Sequence, residues 1–86
     1  MDNIKIAEIL KQIALIKEKI ASDVAKKLNI DFDKESFTLD SFVKGIEVEL
    51  EHTDVTGGDI IETAKIALAH LKEKPDYYEL LDKVEQ

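Results

Sequence analysis

Apolar residues recur at helical spacing near the start of the chain, and this pattern constrains the fold most. They follow three- and four-residue steps and form one apolar stripe: Ile6, Ile9, Leu10, Ile13, Ile16, Ile20, Val24 and Leu28. A strand would alternate apolar and polar residues, and no segment of this chain does so. The stripe predicts an N-terminal helix over residues 3–28, as one bent helix or as two short helices that divide near Ser22.

Three further helices are predicted after this one, over residues 39–52, 59–73 and 75–84. Thr38 precedes the first of them and has a side chain that can cap a helix start. Pro75 disfavours helix at the residue before it and is suited to the first turn of the last helix. We therefore expect an all-α fold, a compact bundle of four to five helices with a long N-terminal helix. Residues 1–86 form one domain, in which 39–84 are the helical core unit.

The apolar stripe has two interpretations, which differ in what covers it. By the usual packing of helix bundles, the stripe simply covers the other helices, and this interpretation is favoured. A helix this long on a domain of 86 residues can also project from it. Projection would point to a protein partner, or to self-association through the N-terminal helix.

Size and charge exclude several classes of function. A chain of this length forms one small core, and without cysteine it has no disulfide to reinforce that core. The net charge of −7 opposes contact with phosphate backbones, so we expect no nucleic-acid partner. No uncharged run approaches the roughly 20 residues of a membrane span. These features predict an acidic, cytoplasmic protein that does not bind membranes.

Two glutamate–histidine pairs are the arrangement with the clearest potential for chemistry. Each pair spans one helical turn, in mirrored order: Glu49 with His52, and His70 with Glu73. Carboxylate and imidazole at this spacing can bind zinc or iron, as in bundles that hold two iron ions. Helix register places the two pairs about 15 Å or more apart within one hairpin, however. We therefore favour structural roles for these residues and keep the four-residue metal site as the alternative.

No catalytic set is recognisable in the sequence. There is no cysteine, and the serines lie outside the segment from Gly45 to Tyr78, which holds both histidines. A hydrolytic triad is therefore not expected, and the prediction is a protein that is not an enzyme and has no cofactor. Gly45, in the interior of a predicted helix, costs about 1 kcal/mol relative to alanine. That cost predicts a close approach by a neighbouring helix.

Three segments resemble a known family pattern: residues 45–52 (GIEVELEH), 65–73 (KIALAHLKE) and 75–78 (PDYY). They are similar to a family of small helical proteins from bacteria and phages, known only as a domain of unknown function. The resemblance covers roughly residues 25–84, and the N-terminal helix has no counterpart in it. It implies that the glutamates, histidines and tyrosines of these segments belong to one recurrent unit, and it implies no activity.

The leading hypothesis is therefore a small acidic helical module for protein interaction or structure. Its motivation is the long apolar stripe, together with the lack of a catalytic set. A metal-binding helical protein that uses the glutamate–histidine pairs is the first alternative. A phage inhibitor that occupies a basic site on a host protein is the second, because an acidic surface is attracted to a basic one.

Overall fold

The computed structural model describes residues 3–51 and 57–85, and these residues form helices and connections without a strand. Four helices are present in this part of the chain: α1 (Asn3–Lys27), α2 (Leu39–Leu50), α3 (Ile60–Glu73) and α4 (Tyr77–Glu85). The predicted all-α fold with a long N-terminal helix is confirmed.

The first helix is continuous, which decides between the one-helix and two-helix interpretations. No break occurs near Ser22, and α1 ends at Lys27. Asn29 then takes a left-handed conformation with φ 59°, a geometry that asparagine tolerates better than most residues. The Ile30 N–H donates back to the Ala25 carbonyl at 2.9 Å, which satisfies one of the carbonyls left free at the helix end.

Side-chain caps fix the starts of α2 and α3. The Thr38 hydroxyl accepts a hydrogen bond from the Ser41 N–H at 3.2 Å, as the sequence predicts. The Asp59 carboxylate does the same for α3, accepting from the N–H groups of Ile61 at 2.8 Å and Glu62 at 3.1 Å. These caps satisfy backbone donors that have no partner inside the helix.

The last helix begins at Tyr77, two residues later than predicted. Pro75 and Asp76 form a turn instead of the first helical residues. Lys74, which precedes the proline, is extended with φ −147° and ψ 98°. That conformation is the one proline imposes on its predecessor, and the chain needs the turn before α4 can start. The Asp76 carbonyl accepts the Leu80 N–H at 3.0 Å, in the manner of a residue that precedes a helix.

The core lies where α2, α3, α4 and the C-terminal end of α1 meet. Its buried apolar residues are Ala21, Val24, Ala25, Phe37, Phe42, Ile46, Ala64, Ala67, Leu71 and Tyr78. The connection between α1 and α2 contributes to the core, because Phe32 packs against Phe37 and Phe42 with ring centroids 6.0 and 5.9 Å apart.

The apolar stripe of α1 does not cover the other helices, so the favoured interpretation of it is wrong. Every side chain from Lys5 to Ile20 is exposed, and burial begins at Ala21. Of the stripe, only Val24 and Leu28 reach the core. The residues of α1 that pack there, from Ala21 to Leu28, lie about 90° around the helix from the isoleucines before them. We call the described residues from Ala21 onward the helical unit.

No helix in the described parts of the chain has both the length and the apolarity needed to cross a membrane.

Candidate functional site

A glycine in α2 allows the last helix to pack directly on the backbone of α2. A Cβ atom at Gly45 would lie 2.7 Å from Cε2 of Tyr78 and 3.0 Å from the Cβ of Ala67. The first distance is shorter than carbon atoms tolerate and the second is unusually tight, so the tyrosine ring occupies the space that any side chain would need. The close approach predicted from Gly45 is confirmed, and the partners are α3 and α4.

The tyrosine seated on Gly45 bonds to a buried carboxylate one helical turn further along α2. The Tyr78 hydroxyl donates to Oε2 of Glu49 at 3.1 Å, and Tyr78 is 1% exposed and Glu49 9% exposed. Burial, followed by the nearby charge of Glu49 and the hydrogen bond to it, raises the pKa of Tyr78 well above its usual range. Glu49 and Tyr78 therefore join α2 to α4 inside the core.

The second predicted histidine contributes to the same corner of the fold through its ring. His70 stacks on Tyr77 with centroids 4.5 Å apart and planes within 3°, and it meets Tyr78 edge-on at 6.3 Å. The two tyrosines are also edge-to-face, with centroids 4.9 Å apart. Among the described residues, His70 thus contacts two aromatic rings, in a stacked and an edge-on arrangement.

The four predicted metal ligands have different surroundings. Glu49 is buried and bonded to Tyr78, His70 is half-buried against Tyr77, and Glu73 is exposed. His52 lies outside the described residues. Within the ranges 3–51 and 57–85, no three histidine, aspartate or glutamate side chains lie close enough together to hold a metal ion. The zinc or iron site therefore stays a prediction.

The sequence reasoning missed the partner of Glu49. Tyr78 lies 29 positions further along the chain, and such a pairing has no local spacing signal. The available clue was the position of Gly45, four residues before Glu49 and therefore on the same side of α2. A missing side chain next to a carboxylate indicates a large polar neighbour, and tyrosine fits that description.

A second candidate site is the exposed face of α1, which we call the isoleucine row. Its members are 41–56% exposed: Ile6, Ile9, Ile13, Ile16 and Ile20. They follow one another at steps of three, four, three and four residues, so they form one line along the helix. Large apolar side chains aligned in this way on a surface are typical of an interaction site.

The isoleucine row continues into an apolar depression at its C-terminal end. The depression has a volume of about 150 Å³ and its lining includes Ile20, Val43, Leu50 and Ile60. It lies between α1, α2 and the start of α3. The apolar surface therefore extends from the projecting part of α1 onto the helical unit.

A sequence profile of one family, described as "Protein of unknown function (DUF5661)", matches residues 21–86. The chain belongs to the DUF5661 family. Membership confirms the predicted resemblance to a family of unknown function, and the family match begins at Ala21, the residue at which α1 becomes buried. The isoleucine row precedes Ala21, so it lies outside the family match. No curated protein and no solved structure gave a match to the chain.

Proposed function

We propose that this DUF5661 protein is a non-enzymatic interaction module, in which the helical unit is the scaffold and the isoleucine row binds a protein. One observation carries the proposal: five isoleucines lie in line on α1 and each is at least 41% exposed. Leaving such a line in water gives up the free energy that burial would supply, about 25 cal/mol for each Å². A partner chain recovers it.

The stability of α1 itself supports a partner. Its first 18 residues contribute no buried side chain to the core among those described. Most of the stability of a helix in a protein comes from the packing of its apolar face, and the core does not supply that packing to this part of α1. One polar contact with the helical unit is an ion pair between Lys17 and Glu47 at 3.2 Å, both substantially exposed, and such pairs stabilise little.

The buried polar groups of the helical unit support a structural rather than a chemical role for it. Glu49 and Tyr78 bond to each other in the core, and a carboxylate placed this way serves packing. Binding of zinc or iron is a separate hypothesis, and no described contact favours it. The proposal therefore assigns function to the surface of α1.

Site-specific photocrosslinking in bacterial cells tests the proposal, and adjacent residues provide its control. A photoreactive residue is placed at Ile16 or at Leu15, which are 56% and 57% exposed but lie on different sides of α1. We expect a crosslinked product from position 16 and none from position 15. No product from either position, or equal products from both, would refute the proposal.

The mass of the product identifies the class of partner. A product of two or more copies indicates self-association. A product with another protein indicates a heterologous partner, which includes the host target expected of a phage inhibitor.

A further inference from the structure

We infer that the partner of the isoleucine row is the same row on further copies of this chain, aligned in parallel and in register. The inference rests on the proposed function and specifies its partner. The row has isoleucine at steps of 3-4-3-4, which correspond to the a and d positions of a coiled coil. Such a line is self-complementary, because each side chain inserts between those of an identical helix.

The position of the helical unit leaves room for this pairing. The residues of α1 that pack on the core lie about 90° around the helix from the row. A second α1 that approaches the row therefore lies beside α2, which borders the row at Ile13 and Ile20, and does not have to displace it. Since Ala21, Val24 and Ala25 are buried, the contact ends where the core begins.

The register of the row favours parallel pairing. In parallel and in register, all five isoleucines face their counterparts. Antiparallel coiled coils pair a positions with d positions. In that arrangement, at most four of the five isoleucines in each chain lie opposite an isoleucine of the other chain. In one such register Ile6 lies opposite Asp23, an exposed carboxylate. Setting a charge against an apolar side chain is unfavourable. The parallel alignment therefore buries more apolar surface and removes fewer charged groups from water.

The flanking residues point to the same orientation. Lys5, Gln12 and Lys19 flank the row on one side as g positions, and Leu10 and Lys17 flank it on the other as e positions. Parallel chains pair g with e of the neighbour, which brings Lys5 to Leu10 and Gln12 to Lys17. No like charges meet. Antiparallel chains pair g with g, which brings Lys5 to Lys26 in the register that sets Ile6 opposite Asp23, and to Lys19 in the other register that matches four isoleucines.

The composition of the row predicts the number of chains. Isoleucine at both a and d shifts coiled coils from two strands towards three or four. We therefore expect a mass three times that of the 9.7 kDa monomer, measured by sedimentation equilibrium on the full chain. A monomer at every attainable concentration would overturn the inference.

Charge distinguishes this assembly from capture of an acidic partner. α1 carries six lysines against three acidic residues, whereas residues 28–86 carry six lysines against fifteen acidic residues. An acidic protein would therefore be attracted to α1, and salt would weaken its binding. Association of isoleucine rows is apolar, and the like net charge of the copies opposes it, so we expect salt to strengthen it.

Disulfide trapping tests the orientation, and the absence of native cysteine makes each added thiol unique. Ile6→Cys and Ile20→Cys are prepared separately, one of them with a tag, and oxidised alone and mixed. Parallel pairing forms disulfides within each variant and few between them, because the two positions are about 21 Å apart along the helix. A predominance of the mixed disulfide would overturn the inference.

Adjacent substitutions test the surface itself. Ile16→Lys is expected to weaken association by about tenfold or more, whereas Leu15→Lys is expected to leave it within about twofold. Equal effects would overturn the inference. A monomeric purified protein that still gives a crosslink from position 16 to another protein in cells would overturn self-pairing alone. If position 16 gives no crosslink either, the proposed function fails as well.

Discussion

The two parts of α1 use apolar residues of the same spacing for opposite purposes. From Ala21 onward the side chains that point inward are almost fully buried, with Ala21 at 2% and Val24 at 5% exposure. Before Ala21 the isoleucine row stays in solvent, with Ile16 at 56%. One continuous helix thus belongs to the core at its C-terminal end and presents a surface at its N-terminal end.

This difference separates helix formation from helix burial. Periodic apolar residues predict that a segment is helical, and α1 is helical throughout. They do not determine which side meets the core, because the rest of the chain decides that. Here the connection after Lys27 leads the chain back to the side of α1 that carries Ala21. The isoleucine row lies about 90° around the helix from that side, so the other helices leave it exposed.

The largest expected effect comes from a leucine-to-alanine substitution in the helical unit, compared with the same substitution in the N-terminal part of α1. Leu71 is 0% exposed and Leu15 is 57% exposed. Leu71→Ala removes buried methyl groups and leaves a cavity, so we expect a loss of about 3–5 kcal/mol in the free energy of unfolding. Leu15→Ala changes a solvated side chain off the row, and its effect should stay within about 0.5 kcal/mol. Chemical denaturation at one fixed protein concentration measures both.

Similar losses from the two leucine variants would show that the N-terminal part of α1 is packed as firmly as the helical unit. That result would remove the contrast on which the interaction surface depends. A circular dichroism spectrum of each variant before denaturation ensures that both begin from the same helix content.

The next effect concerns the closest packing in the helical unit. Gly45→Ala gains about 1 kcal/mol of helix propensity, yet its Cβ would overlap the ring of Tyr78 at 2.7 Å. Overpacking costs about 1–3 kcal/mol, and a displaced Tyr78 also loses its hydrogen bond to Glu49. We expect a net loss of about 1–2 kcal/mol, measured by thermal and denaturant unfolding.

An exposed alanine of α3 supplies the control for Gly45. Ala69→Gly meets no packing constraint, so the exchange should cost about 1 kcal/mol through propensity alone. Glycine would then be the better residue at 45 and the poorer one at 69. If Gly45→Ala stabilised the protein, that result would contradict the close packing of α4 against α2.

A smaller effect follows from the raised pKa of Tyr78. The folded state holds the phenol proton more tightly than the unfolded state, whose tyrosine pKa is about 10. This contribution to stability is complete below about pH 10 and declines above it, by up to about 1.4 kcal/mol per pH unit. Denaturation of wild type and Tyr78→Phe between neutral and alkaline pH should show a weaker dependence in the variant.

The neighbouring tyrosine serves as the control for the alkaline effect. Tyr77 is half-buried and stacks on His70, and Tyr77→Phe keeps both the ring and the Tyr78–Glu49 bond. Its stability should fall with pH as steeply as that of wild type. If Tyr78→Phe also followed wild type above pH 10, then the buried phenol would not be the source of the decline.

The fold was predictable from sequence wherever the signals were local. The cap at Thr38 depends on interactions within a few residues, and its prediction is confirmed. The start of α4 was wrong by two residues, because the turn at Pro75 and Asp76 had to precede it. Such errors are small, since proline restricts only its immediate neighbours.

The candidate sites were less predictable because they depend on long-range placement. Glu49 was selected for its spacing to His52, yet its observed partner is Tyr78 from another helix. The isoleucines were recognised as one apolar stripe, but their exposure depends on where α2 packs against α1. Helical periodicity identifies which residues share a face, and only the three-dimensional structure determines what that face meets.

The smallest expected effect tests the polar link between the two regions. Lys17 and Glu47 pair at 3.2 Å with side chains 49% and 41% exposed, so solvent screens most of their attraction. Lys17→Met keeps the aliphatic stem and removes the charge, and it should change the free energy of unfolding by less than about 1 kcal/mol. Denaturation at low and high salt isolates this contact when it is measured in the Ile16→Lys background, at a protein concentration at which sedimentation shows a monomer. The difference should shrink as salt rises. A larger loss that salt does not reduce would mean that the N-terminal part of α1 is held on the helical unit by packing around Lys17, and the isoleucine row would then be presented on a rigid support.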